Sequence, residues 1–146
     1  MSIIAGQALR DLVDKIVDIP VETVGYTSVD VNIDNWFAVE VHDGGGQWHE
    51  TYSFGVILDP NRFVKARLDR VFTIPKDVVG MFTIRSKYAQ IGLEQSTSVF
   101  MHPGFNNKLI LELKNFSQYK SLNLLNGDCV GQITFFRCSE EPVNLE

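Results

Sequence analysis

The sequence predicts an all-β domain carrying one N-terminal helix, and three observations predict it. From residue 29 onward the apolar residues recur with period two rather than 3.6. Turn-forming clusters punctuate that region at fairly even spacing: Asp59-Pro60-Asn61, Pro75-Lys76-Asp77, His102-Pro103-Gly104 and Asn126-Gly127-Asp128. The single clear helical pattern lies before residue 20. Many short strands with regular turns close into a barrel or pack as a sandwich.

The elements follow in order. Leu9, Leu12, Val13 and Ile16 share one face at helical spacing, and Pro20 closes that helix. Val29, Val31 and Ile33 alternate with polar residues, and Trp36 to Val41 continues in strand-like composition. Asp43-Gly44-Gly45-Gly46 reads as a turn. Further strands are expected at Tyr52 to Leu58, Phe63 to Leu68, Val79 to Ile84, Leu109 to Leu113 and Val130 to Phe136. One domain is expected over residues 1–138, followed by a short polar, acidic tail over 139–146.

Composition narrows the function classes. The chain has 146 residues, enough for one domain with a real core, and a net charge of −5 with no basic run. That balance argues against a protein that wraps nucleic acid, which needs a Lys/Arg stripe. It leaves room for a pocket that holds one nucleotide with a few donors. Cys129 and Cys138 form no Cys-x-x-Cys pair and read as buried thiols of a reducing compartment. No apolar run is long enough to span a membrane, and Met1 to Gly6 lacks the pattern of a signal peptide, so a cytoplasmic location is expected.

One residue stands out chemically. Glu112 sits within Leu109-Ile110-Leu111-Glu112-Leu113. An ionised carboxylate is costly to bury without partners. It therefore lies on a wet sheet face or is retained for chemistry.

Five blocks stand in order along the chain: Ser28 to Val31, Val71 to Gly80, Arg85 to Leu93, Pro103-Gly104-Phe105 with Leu109 to Leu113, and Gly127-Asp128-Cys129-Val130-Gly131-Gln132-Ile133. Their order resembles the dCTP deaminase and trimeric dUTPase superfamily, in particular its dCTP deaminase branch. The resemblance implies a distorted β-barrel or jelly-roll subunit, a homotrimer, and nucleotide sites between neighbouring copies. It implies hydrolysis of dCTP, or a related deoxycytidine nucleotide, to dUTP and ammonia. Mg²⁺ would ride on the triphosphate. Zinc-dependent deaminases need His-x-Glu and Pro-Cys-x-x-Cys, and neither occurs in this sequence.

The resemblance also implies roles. Glu112 matches the catalytic glutamate, which takes a proton from water and delivers one to the ring. Arg85 and Ser86 match a phosphate-binding turn whose serine also holds the catalytic water, and Lys87 adds a charge there. Gln132 matches a glutamine that contacts the nucleotide or the phosphate turn; a purely structural role is the other reading. Asp30 matches an aspartate near the nucleotide or a phosphate-bound metal, against a plain turn or capping carboxylate.

Two positions depart from the pattern. Gln90 stands where deaminases place an arginine that orients water and glutamate, and an amide offers hydrogen bonds without charge. His102 stands where both branches carry an aspartate; an imidazole can bond a sugar hydroxyl or phosphate, or act as a base. The sequence stops at Glu146 with neither the basic, aromatic lid of the deaminases nor the glycine-rich arm of the dUTPases. Two other readings stay open: a dUTP diphosphatase or bifunctional deaminase-diphosphatase, and a silent nucleotide-binding or regulatory protein on the same fold.

Overall fold

Period-two patterning becomes a curled sheet in the computed structural model, which describes residues 2–18, 23–40, 47–95 and 99–140. The expected Gly44-Gly45-Gly46 turn, the Pro20 helix stop, Val41 and residues 141–146 of the tail lie outside the described residues. The helix α1 (Gly6–Ile16) buries Leu9, Val13 and Ile16. Its end is marked by Val17, which turns extended and bridges Phe72, while the Asp18 carboxylate accepts the Val71 amide at 2.9 Å.

The strands in chain order are β1 (Ser2–Ile3), β2 (Val29–Glu40), β3 (Trp48–Tyr52), β4 (Gly55–Leu58), β5 (Phe63–Thr73) and β6 (Val78–Ile84). After a short helix α2 (Ser86–Ala89) come β7 (Leu93–Gln95), β8 (Val99–Met101), β9 (Asn106–Asn115), β10 (Leu122–Leu125) and β11 (Cys129–Arg137). One antiparallel sheet runs β7-β9-β5-β2-β11-β6-β8, with β3 on β2 and β1 on β11; β4 and β10 form a small second sheet. The inner face gathers Val31, Ile33, Phe37, Leu68, Phe72, Phe82, Leu111, Leu113 and Phe135 into one core against α1. Each such side chain contributes roughly 1.5–3 kcal/mol by leaving water. The all-β expectation with one N-terminal helix therefore holds.

Some boundaries differ, for physical reasons. The strand expected at Tyr52 to Leu58 starts only at Gly55, and Tyr52 instead ends a separate strand from Trp48; Ser53 Oγ, which donates to the Gly55 carbonyl at 2.8 Å, breaks the run. The strand from Phe63 continues to Thr73 across an irregularity: Arg67 faces Ile110, but Val71 faces Lys108, so residues 68–70 bulge. A matching bulge interrupts β2, where Ile33 faces Leu68 and Phe37 faces Ala66. The polar turn at Arg85 to Lys87 opens into the four-residue helix α2.

Gly131 is required by close approach. A Cβ there would lie 2.2 Å from the Thr83 carbonyl oxygen and 2.7 Å from the Phe82 ring. Its absence lets β11 press onto β6 beside the Arg85 turn. Gly92, at φ +105°, likewise admits the Ser117 backbone.

Candidate functional site

Strand β9 decides where its glutamate points. Leu109, Leu111 and Leu113 are buried, so Lys108, Ile110, Glu112 and Lys114 share the outer face. Glu112 is half-buried there, and its register partner on β5 is Lys65. The Lys65 ammonium lies 4.4 Å from the Trp48 ring centroid. Trp48 is held in turn edge-on by Phe63 at 5.2 Å. Ile110, two residues from Glu112, leaves 48% of its surface to solvent. An apolar floor thus lies beside a carboxylate on a rigid strand.

The Arg85 turn is built separately. The Arg85 amide donates to the Val130 carbonyl at 2.9 Å, and the Gln90 amide to the Ser86 carbonyl at 2.9 Å. Arg85, Ser86, Lys87 and Gln90 are all exposed, whereas Tyr88 faces inward and fastens α2 to the body. Burial first, then the charge and hydrogen bonding of Asp128, push the Tyr88 hydroxyl above its ordinary pKa of 10.0. The Asp128 carboxylate also accepts the Leu125 amide at 2.9 Å. The Gly127 to Gln132 stretch therefore supports the turn at several points. The Lys87 ammonium lies 5.5 Å from the Tyr88 ring.

Gln132 stands between Thr83 on β6 and Asp30 on β2 in register. Its side-chain amide donates to the Thr83 hydroxyl at 2.5 Å. That bond lies two residues before Arg85, so Gln132 braces the strand that leads into the turn. Asp30 is half-buried across from it. His102 is exposed beyond the end of β8 and stacks on Phe100, with ring centroids 6.2 Å apart.

These groups form separate sets within one chain. Arg85, Ser86, Lys87 and Gln90 lie together, with Gln132 and Asp30 nearby. Glu112 stands on another element, β9. Through Lys65 it aligns with Ala38 on β2, whereas Gln132 aligns with Asp30, eight residues away along the same strand. The sheet curls, so that β7 pairs with β9 at Leu113 to Asn115 and the Phe116 amide donates to the Gly92 carbonyl at 2.7 Å, which brings the end of α2 back against β9. His102 lies off the opposite end of β6 from Ser86, since Met101 pairs with Gly80.

One cluster gave almost no signal in the sequence. The Asp34 carboxylate accepts Arg67 Nε at 2.9 Å, Arg67 Nη2 at 2.6 Å, Lys108 Nζ at 3.1 Å and the Asn35 amide at 2.8 Å. The Arg67 guanidinium lies 5.5 Å from the buried Trp36 ring. Burial alone would raise the Asp34 pKa. The bonds from Asn35, Arg67 and Lys108 outweigh it and hold the carboxyl below its ordinary 3.8. Next to it, in the β5 bulge, burial outweighs the Arg70 charge and raises Asp69. The only hint was Lys108-x-Ile110-x-Glu112, three residues on one strand face.

Among the described residues no three His, Cys, Asp or Glu side chains converge to hold a metal ion. Those described residues do not fit a protein-held ion. No helix among the described residues is long and apolar enough to cross a membrane.

A family model described as dCTP deaminase-like matches residues 3–138. The "dCTP deaminase, dUMP-forming" of Corynebacterium glutamicum (strain R) is 30% identical over 141 residues, covering 81% of this chain and 69% of that protein. The Thermobifida fusca (strain YX) protein of the same description is 34% identical over 89 residues, covering 60% of this chain and 45% of that one. In structure, the chain is similar to the 2'-deoxycytidine 5'-triphosphate deaminase of Agrobacterium tumefaciens. The TM-score is 0.74 at 18% identity, over 92% of this chain and 47% of that one. It is also similar to a point-mutant dUTPase of phage phi11 of S. aureus, described with a structural Mg(II) ion. There the TM-score is 0.53 at 18% identity, over 63% of this chain and 76% of that one. Both structural likenesses speak to fold. The chain spans about half or less of the Agrobacterium and Thermobifida proteins.

Proposed function

The chain belongs to the dCTP deaminase-like family, and from that premise we propose that it hydrolyses dCTP to dUMP, ammonia and pyrophosphate, consuming two waters. The observation that carries the reading is Glu112: a half-buried carboxylate on the outer face of a strand whose inner face is leucine. In deamination Glu112 takes a proton from the water attacking C4 and passes it to the ring, and the amino group leaves as ammonia. The product dUTP, expected from the sequence, gives way to dUMP because the relatives above are described as dUMP-forming. The second water cleaves at the α-phosphorus.

Glu112 on β9 and the exposed Arg85 turn at α2 are presented by different elements, which suits a site completed by another copy, as in a homotrimer. In that arrangement Ser86 and Gln90 of one copy position water at Glu112 of the next. Arg85 and Lys87 hold phosphates, and His102 bonds sugar or phosphate. Gln132 and Asp30 support the turn or reach the nucleotide. Mg²⁺ enters with the triphosphate.

The test combines ammonia release, product separation and sizing. The wild type should release ammonia from dCTP, yield dUMP and pyrophosphate, and run near three times its 16.5 kDa chain mass. Glu112→Gln should stop ammonia release while the assembly persists. Full activity in that variant would overturn the assignment. Binding without turnover would favour a silent nucleotide-binding protein, and dUTP as end product would limit the chain to deamination.

A further inference from the structure

The outer face that carries Glu112 also carries two cations that the proposed reaction has not engaged. Lys108, Ile110 and Glu112 succeed one another on that face of β9, and Arg67 stands in register with Ile110. From Lys108 to Glu112 is four residues, about 13 Å along the strand. That matches the reach of an extended deoxynucleotide from its pyrimidine edge to its outer phosphates, with exposed Ile110 under the sugar.

We infer that Arg67 and Lys108, held in place by Asp34, form an anion clamp that shares, with the Arg85 turn of the neighbouring copy, the polyphosphate of the nucleotide whose base meets Glu112. Four observations support it. The trio carries one carboxylate against two cations, and the neighbouring Asp69 is paired with Arg70 at 3.1 Å, so the cluster of three cations and two carboxylates keeps a net positive charge. Arg67 gives Nε and Nη2 to Asp34 and Lys108 gives it one N–H; a guanidinium has five such hydrogens and an ammonium three, so the two side chains have donor capacity beyond Asp34. The side chains are 15–29% exposed, enough for a ligand to reach donors already positioned. The geometry depends on two facing bulges, at residues 34–36 of β2 and 68–70 of β5, which aim Asp34 at both cations. Trp36 under the guanidinium limits its rotation further.

The clamp belongs to the same copy as Glu112, whereas the proposed site takes its Arg85 turn from a neighbour. The inference rests on the proposed placement of the base at Glu112, and calorimetric titration separates the two. The ligands are dCTP, deoxycytidine and inorganic tripolyphosphate; the proteins are the wild type, Lys108→Gln, Arg67→Gln and Arg67→Lys, each first checked by melting. Lys108→Gln and Arg67→Gln should each weaken dCTP and tripolyphosphate about tenfold while leaving deoxycytidine unchanged. Arg67→Lys should fall between wild type and Arg67→Gln. If Arg67→Gln does not fold, Lys108→Gln decides. Unchanged dCTP and tripolyphosphate affinity, or a parallel loss for deoxycytidine, would overturn the clamp. Tripolyphosphate binding that depends on Lys108 in a protein releasing no ammonia would leave the clamp standing and remove the deaminase reading. Ammonia release with an unchanged KM in Lys108→Gln would do the reverse.

Discussion

Lys65 stands directly across the β5–β9 ladder from Glu112, with its ammonium against the face of Trp48. Opposed Cβ atoms in such a pair are roughly 4.5–5.5 Å apart, so the lysine is the cross-strand neighbour of the candidate acid/base.

Removing that charge gives the first prediction. Lys65→Met should lower ammonia release from dCTP several-fold, on the order of the ~1 kcal/mol of an opposed charge pair. Lys65→Arg should restore most of it. Equal rates in the wild type and the Met variant would detach Lys65 from the chemistry.

A second prediction concerns acid stability. The folded pKa of Asp34 lies below the ordinary 3.8. Its contribution is complete above the unfolded value and is lost as pH falls through the folded one. Urea midpoints of the wild type should therefore drop on acidification from about pH 4 downward. Asp34→Asn should start less stable at about pH 6 and show a shallower drop. Parallel curves for the two proteins would contradict the argument.

A third prediction tests close packing beside the Arg85 turn. Gly131→Ala puts a methyl 2.2 Å from the Thr83 carbonyl oxygen. Overpacking of this kind costs about 1–3 kcal/mol, so thermal unfolding should fall by several degrees. An unchanged melting temperature would mean that β11 and β6 can separate freely.

A fourth concerns Asn115, which is fully buried. Its side-chain amide donates to the Leu58 and Lys120 carbonyls at 2.9 and 2.7 Å, and its oxygen accepts the Ser117 amide at 2.9 Å. Asn115→Ala leaves three backbone groups short of a partner and should cost about 3 kcal/mol. Chemical denaturation measures it; a loss below ~0.5 kcal/mol would show that water replaces the amide.

Much of the fold was legible because it is local. Alternation at Val29-Val31-Ile33 and Leu109-Leu111-Leu113 marked buried strand faces, and both are buried. The short strands β1, β7, β8 and β10 were not legible, since two to four residues give too little pattern to count. The Ser53 break was missed because its cause is a side-chain bond. Among candidate residues, the grouping of Arg85, Ser86 and Gln90 followed from their adjacency in sequence. The role of Gln132 needed the partner strand, because only the β11–β6 register reveals Thr83.

By itself, then, the sequence determined an all-β chain with one leading helix, the outward position of Glu112, and a block order that places it in its family. These depend on side-chain period, turn chemistry and residue identity along the strand. Tertiary structure alone decided that Asp34, Arg67 and Lys108 meet, across separations of 33 and 74 residues, and that Lys65 faces Glu112. It also decided that β7 and the Gly92–Phe116 bond bring the end of α2 back against β9. Those relationships depend on register and on two bulges, and it is core packing that sets them: Ile33, Phe37, Leu68 and Phe72 must all point inward, so the residues between them are extruded outward.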